Sequence, residues 1–98
     1  MLVKIHKKDH RTIIAVCDRD LIGKKFEENN QQLDLTGEFY NGEHVDADEI
    51  GDLLRNADGV NLVGEKSVGL GIQEEVIEEK NIIRVKNIPY AQASIVQS

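Results

Sequence analysis

The sequence predicts an α+β fold: a compact single domain spanning residues 1–98, with two main helices packed on a mixed β-sheet of about five strands. Three observations predict it. Leu2 to Lys7 alternates apolar and polar residues, the pattern of a half-buried strand. Thr12 to Cys17 is a short, β-branched apolar run suited to a strand buried on both faces, Val60 to Val63 reads as another short buried strand, and Ile82 to Val85 as a further strand. After Asp46, apolar residues recur at helical spacing.

Val3 and Ile5 oppose Lys4 and His6 in the first segment, and Lys8-Asp9-His10 breaks it from Thr12 to Cys17. The two form an N-terminal hairpin with His6 and His10 near its tip. Asp18 starts a single helical turn, followed by Leu21-Ile22-Gly23 and a polar loop to Gln32. Leu33-Asp34-Leu35 and Glu38-Phe39-Tyr40 are strand candidates around Thr36-Gly37, and Asn41-Gly42 is a tight-turn dipeptide that tolerates positive φ.

The first helix begins near Ala47. Asp46 is placed to cap it, Glu49 gives a capping-box spacing, and Val45 and Ile50 stand at the two staple positions. Ile50, Leu53, Leu54 and Ala57 form one apolar stripe, and Gly59 suits a left-handed C′ position. A turn from Gly64 to Ser67 leads to a second helix marked by Val68, Ile72, Val76 and Ile77, ending near Lys80-Asn81. Beyond Ile82 to Val85, Pro89 separates a final segment, Ala91 to Val96, read as an edge strand.

A chain of 98 residues buries roughly two-thirds of its unfolded surface, enough for a core without disulfides or metals. Its 40% hydrophobic content is aliphatic, with two Phe, two Tyr and no Trp, which disfavours an aromatic stacking platform for single-stranded nucleic acid. Cys17 is the sole cysteine, so no internal disulfide forms, and a lone thiol suits a reducing compartment. With no signal-like or spanning apolar run, the expected location is cytoplasmic, away from membranes.

The formal net charge of −6 is unevenly spread. Residues 1–25 carry seven Lys/Arg against three Asp, a net of +4, and the remainder carries −10. The acidic total opposes non-specific nucleic-acid binding, yet the front supplies a local cationic surface.

Four segments in order resemble one family: Cys17-Asp18 with Leu21-Ile22-Gly23-Lys24-Lys25-Phe26, Phe39-Tyr40-Asn41-Gly42, Asn61-Leu62-Val63-Gly64-Glu65, and Ile88-Pro89-Tyr90-Ala91-Gln92. Together they resemble a small archaeal family known only as domain of unknown function 424. The resemblance implies an archaeal source and a compact α/β-type domain, and it implies no activity. A His often stands there at the position of Tyr90, so no imidazole role carries over to this chain.

Several groups of residues suggest chemistry. Gly64, Lys66 and Ser67, with Asn61 just before them, join a strand to a helix, where free N–H groups attract an anion. The Walker spacing is absent, and an ordinary turn with a Ser cap explains the same residues. Cys17 opens a helical turn, where a thiol can be activated, or it is a small buried hydrophobe. His6 and His10 lack a second ligand pair for a metal, so hairpin polarity accounts for them. Glu74, Glu75, Glu78 and Glu79 form a solvated helix face. Tyr90 and Gln92 follow Pro89 as contact residues, or Tyr90 is core.

No catalytic set, cofactor signature or metal set is assembled. The expected function is a non-catalytic binding or adaptor module that docks on a larger assembly, with an unidentified macromolecular partner, RNA or a ribonucleoprotein among the options. Lys4, Lys7, Lys8, Arg11, Lys24 and Lys25 form the contact, with Tyr90 and Gln92. Two alternatives are a small phosphate- or nucleotide-binding protein or enzyme on the Gly64–Ser67 turn, and a homo-oligomer paired through Ala91 to Val96. Each predicts a different surface in use.

Overall fold

The computed structural model describes residues 1–95. Six strands form one mixed sheet. They are β1 (Leu2–Lys8), β2 (Arg11–Cys17), β5 (Glu43–His44), β6 (Gly59–Val63), β7 (Ile82–Val85) and β8 (Ile88–Ser94), in the order β5-β1-β2-β6-β8-β7. Two more, β3 (Lys25–Glu28) and β4 (Gln31–Asp34), pair as a separate hairpin. Helices α1 (Ala47–Arg55) and α2 (Glu65–Gln73) complete the α+β fold. Among the described residues, only β2 and β6 run parallel, and the other strand pairs are antiparallel.

The sheet has two unlike faces because side chains alternate along each strand. Val3, Ile14, Val16, Val60, Leu62 and Ala91 point to one face, where Ile50, Leu54 and Ala57 of α1 and Val68 and Leu70 of α2 pack on them. That stripe on α1 is the one its spacing predicts. On the other face a smaller core covers only part of the sheet: Cys17, Val63 and Val85 pack beneath Leu21, Leu33 and Leu35, with Phe26, Tyr40 and Tyr90 at its rim.

The β1–β2 and β7–β8 hairpins turn through two residues each, Asp9-His10 and Lys86-Asn87, all with positive φ between 53° and 65°. That geometry matches the twist of the strands it joins. Pro89 sits inside β8 rather than before it. It faces Arg84 in the pair next to the turn's own hydrogen-bonded pair, so its missing N–H faces away from β7, and its carbonyl accepts from Gly64 N–H at 2.8 Å.

Several sequence expectations need correction. The stretch up to Gln32 is not a loop, since Lys25–Glu28 and Gln31–Asp34 form a hairpin: Phe26 and Leu33 are directly paired and supply its inward side chains, too few for an apolar pattern. Glu38–Tyr40 forms no strand. Neither Asn41 nor Gly42 has positive φ. Gly42 instead lets the chain pass close to β1, since a β-carbon there would lie 1.8 Å from the Val3 carbonyl oxygen. Asp46 occupies the N-cap position of α1 without making the side-chain bond of a capping box.

Gly59 begins β6, and α1 ends at Arg55 with Asn56 as its C-cap. The second helix stops at Gln73, because Glu75 turns left-handed at φ 60°. Val76 and Ile77 pack on the core from beyond the helix. The final segment is no edge strand through its first part, since Ala91 is paired with both Leu62 of β6 and Ile82 of β7. Val96 lies outside the described residues.

Candidate docking surface on the open sheet face

Cross-strand register sorts the less covered face of the sheet into rows. One row, Leu2, Cys17, Val63, Tyr90 and Ile83, runs along the end that carries the smaller core. The next row is polar at its ends: Lys4, Ala15, Asn61 and Gln92. A third holds His6, Ile13, Gly59 and Ser94, and the last is the pair Lys8 and Arg11 beside the turn. Away from the small core, this face is therefore cationic at the β1–β2 end and carries amides and a hydroxyl at the β6–β8 end.

The loop from Leu35 to Gly42 is held to the cationic side of this surface. Lys4 Nζ donates to the Glu38 carbonyl at 3.0 Å, and His6 Nε2 lies 2.9 Å from the Phe39 carbonyl. The His6 and Phe39 rings stack with centroids 4.2 Å apart, and Tyr40 meets Phe39 edge-on. Phe39 remains 44% exposed. Ile13 lies over Gly59, where an added β-carbon would come within 2.7 Å of its Cδ1.

The charge of the front segment is largely unquenched. Among the described residues, the only one of its seven Lys/Arg with a carboxylate within 4.0 Å is Lys25, which pairs with Glu27 at 3.3 Å. In the body, by contrast, Arg55 bridges Asp52 and Glu74, Lys80 meets Glu78, and Arg84 meets Glu65. Not all the front cations share one place. Lys4, Lys8 and Arg11 project from the same face of the hairpin, while Lys7 projects from the opposite face of β1. Lys24 and Lys25 lie at the start of the β3–β4 hairpin, which packs toward β7 at the far edge of the sheet.

The expected contact residues on β8 also divide. Gln92 is exposed beside Asn61. Tyr90 is half-buried against the smaller core, the packing alternative for that residue. Asn61 itself lies mid-strand on the open face, away from the Gly64–Ser67 turn with which its sequence position grouped it.

That turn holds an anion, and the anion belongs to the chain. Asp18, only 7% exposed, accepts from Lys66 N–H at 3.0 Å, Ser67 N–H at 2.8 Å and Ser67 Oγ–H at 2.7 Å. Gly64 begins the helix at φ 105°, and a β-carbon there would lie 2.3 Å from the Asp18 carboxyl carbon. Because β2 and β6 are parallel neighbours, Asp18 leaves β2 beside the start of α2 and caps a helix 48 residues away. Sequence reasoning missed this cap; the single local signal is an acidic residue directly after a buried strand. A cavity of about 600 Å³ opens outside it, lined by Met1, Asp18, Arg19, Asp20, Glu65 and Lys66.

Cys17 is fully buried, and its thiol is pushed up to about 12 by burial, with the carboxylates of Asp18 and Asp20 adding to the shift. That is the reverse of an activated nucleophile. Burial likewise pushes the Tyr40 phenol up. His6 and His10 do not converge: His6 stacks on Phe39, and His10 lies in the turn. Among the described residues, no group of three His, Cys, Asp or Glu side chains is placed to hold a metal. None of the helices there is long and apolar enough to cross a membrane.

Comparison with solved structures finds the same fold in an uncharacterized conserved protein from Methanopyrus kandleri. The two are 22% identical, and the match covers 99% of this chain and 92% of that one at a TM-score of 0.81. No curated protein matches. A family model described as a protein of unknown function, DUF424, matches residues 5–96. The match spans nearly the whole chain, and the chain belongs to that family.

Proposed function

We propose that the protein is a non-catalytic docking module of the cytoplasm, which holds an anionic partner against its β1–β2 hairpin. The observation that carries this reading is the set of cations there with no carboxylate partner among the described residues: Lys4, Lys8 and Arg11 on one face and Lys7 on the other, in a chain of net charge −6. Unpaired cations on a protein that is otherwise acidic steer an anionic surface to one place and repel it elsewhere. An RNA-containing assembly and an acidic protein both meet that requirement.

The alternative, a phosphate or nucleotide ligand on the Gly64–Ser67 turn, has Asp18 against it. The N–H groups of Lys66 and Ser67 already bond a buried carboxylate, and a ligand would have to displace it.

The test is recovery of partners from native lysate on the immobilised chain, at salt rising from about 50 to about 500 mM, with and without ribonuclease. The double variant Lys8→Glu/Arg11→Glu serves as the control, since it replaces one like-charged cross-strand pair by another. Recovery that falls with salt and is lost in the variant is expected. Recovery indifferent to both would overturn the reading.

A further inference from the structure

β1 is an edge strand for most of its length. β5 pairs only with Leu2 and Val3, and at Gly42 the chain turns off that edge. Past this point Lys4 to Lys8 have β2 on one side and, among the described residues, no strand on the other. The register fixes which backbone groups face outward. A two-residue turn with both φ positive makes its flanking pair, Lys8 and Arg11, the hydrogen-bonded pair. Lys4, His6 and Lys8 therefore bond to β2, and Ile5 and Lys7 aim their N–H and C=O groups away from it. The bond from Val45 N–H to the Met1 carbonyl, 3.2 Å on the outer side, gives the same alternation. Ile5 is 47% exposed, and a shallow cavity of about 460 Å³ opens beside it among Val3, Lys4, Asn41, Gly42 and Glu43.

Alternating free donors and acceptors along an edge are matched by another extended peptide backbone. A phosphodiester chain offers no such alternation. The flanking charge narrows the partner further. Lys4 and Lys8 on one side of the strand, and Lys7 on the other, place a cation beside any added strand whichever way its side chains point. A second copy of β1 would bring the same cations against these and be repelled. Building on the docking reading above, we infer that the anionic partner presents an extended acidic peptide segment. It adds as a seventh strand to the six-stranded sheet along the open edge of β1. Its main chain bonds Ile5 and Lys7, its carboxylates lie beside Lys4, Lys7 and Lys8, and an apolar residue covers Ile5.

The test titrates the ¹⁵N-labelled full chain with three probes: a capped Glu-Val-Glu-Val-Glu-Val-Glu peptide, its Lys-for-Glu counterpart, and a single-stranded oligouridylate. The acidic peptide is expected to slow hydrogen exchange at the Ile5 and Lys7 amides about tenfold, while the lysine peptide leaves them unchanged. Lys7→Pro removes one outward N–H and spares the bonds to β2, so it should weaken the acidic peptide about tenfold with the fold intact. Lys7→Gln keeps that N–H and should weaken it less. Oligouridylate binding without peptide binding would overturn the added strand and leave the docking reading standing. Peptide binding that leaves the two amides unprotected and is indifferent to Lys7→Pro would overturn it as well. If no probe binds, both readings fall.

Discussion

Asp18 shows how much of this molecule depends on single residues whose partners lie far along the chain. Its carboxylate is buried and takes three hydrogen bonds from the start of α2. Removing it leaves the buried Ser67 N–H and hydroxyl without their partner. Asp18→Ala should therefore lower unfolding stability by about 2 kcal/mol in urea titration. A variant as stable as the parent would show that solvent replaces the cap. Cys17 makes a second residue-scale prediction. With its thiol buried and raised to about 12, it should stay unmodified by an aromatic disulfide reagent at pH 8 until denaturant opens the fold. Asp34 makes a third. Hydrogen bonds from the Thr36 hydroxyl and N–H, with the charge of Lys25 helping, hold its carboxyl below the usual carboxylate range. A group lowered in the folded state contributes stability above its unfolded pKa and loses it as pH falls through the folded one. Thr36→Ala should move the Asp34 titration upward in an NMR pH series, and an unmoved titration would remove Thr36 as the cause.

At the level of elements, local pattern was a good guide wherever an element buries several residues of its own. β2, β6 and α1 each carry a stripe or run that the structure packs as the spacing predicts, whereas Ile5 of β1 and Ile83 of β7 stay exposed in strands the sequence did place. The β3–β4 hairpin left no such trace, because Phe26 and Leu33 reach a core built by other segments. The end of α2 was hidden because Glu75, a residue that carries no turn signal, takes the left-handed conformation that stops the helix. The glycines within α2 separate propensity from packing. Nothing lies within 4 Å of a β-carbon added at Gly69, whereas one at Gly71 would meet Leu62 Cδ1 at 2.3 Å and Ile77 Cγ1 at 3.0 Å. Gly69→Ala should raise stability by about 0.5–1 kcal/mol through lost unfolded-state freedom. Gly71→Ala should lower stability by about 1–3 kcal/mol through overpacking. Thermal melts of the pair check both signs, and equal shifts would contradict the packing described for that face.

The molecule as a whole is asymmetric in charge, in a way only partly visible from its sequence. The count of cations near the amino terminus was legible; their division was not. Which of them share a surface depends on strand register and on the path of the β3–β4 hairpin, so Lys24 and Lys25 part from Lys4, Lys8 and Arg11. The anion-holding turn was likewise legible as a turn, but not as one already filled by Asp18, since that contact joins two strands brought side by side by the fold. What survives at this scale is a cationic hairpin on an acidic body. Elution from a heparin column at neutral pH tests it most directly. Despite its net negative charge, the parent chain should be retained at low salt and released as salt rises, and Lys8→Glu/Arg11→Glu should pass unretained. A parent chain that flows straight through, or a variant released at the same salt as the parent, would contradict the account.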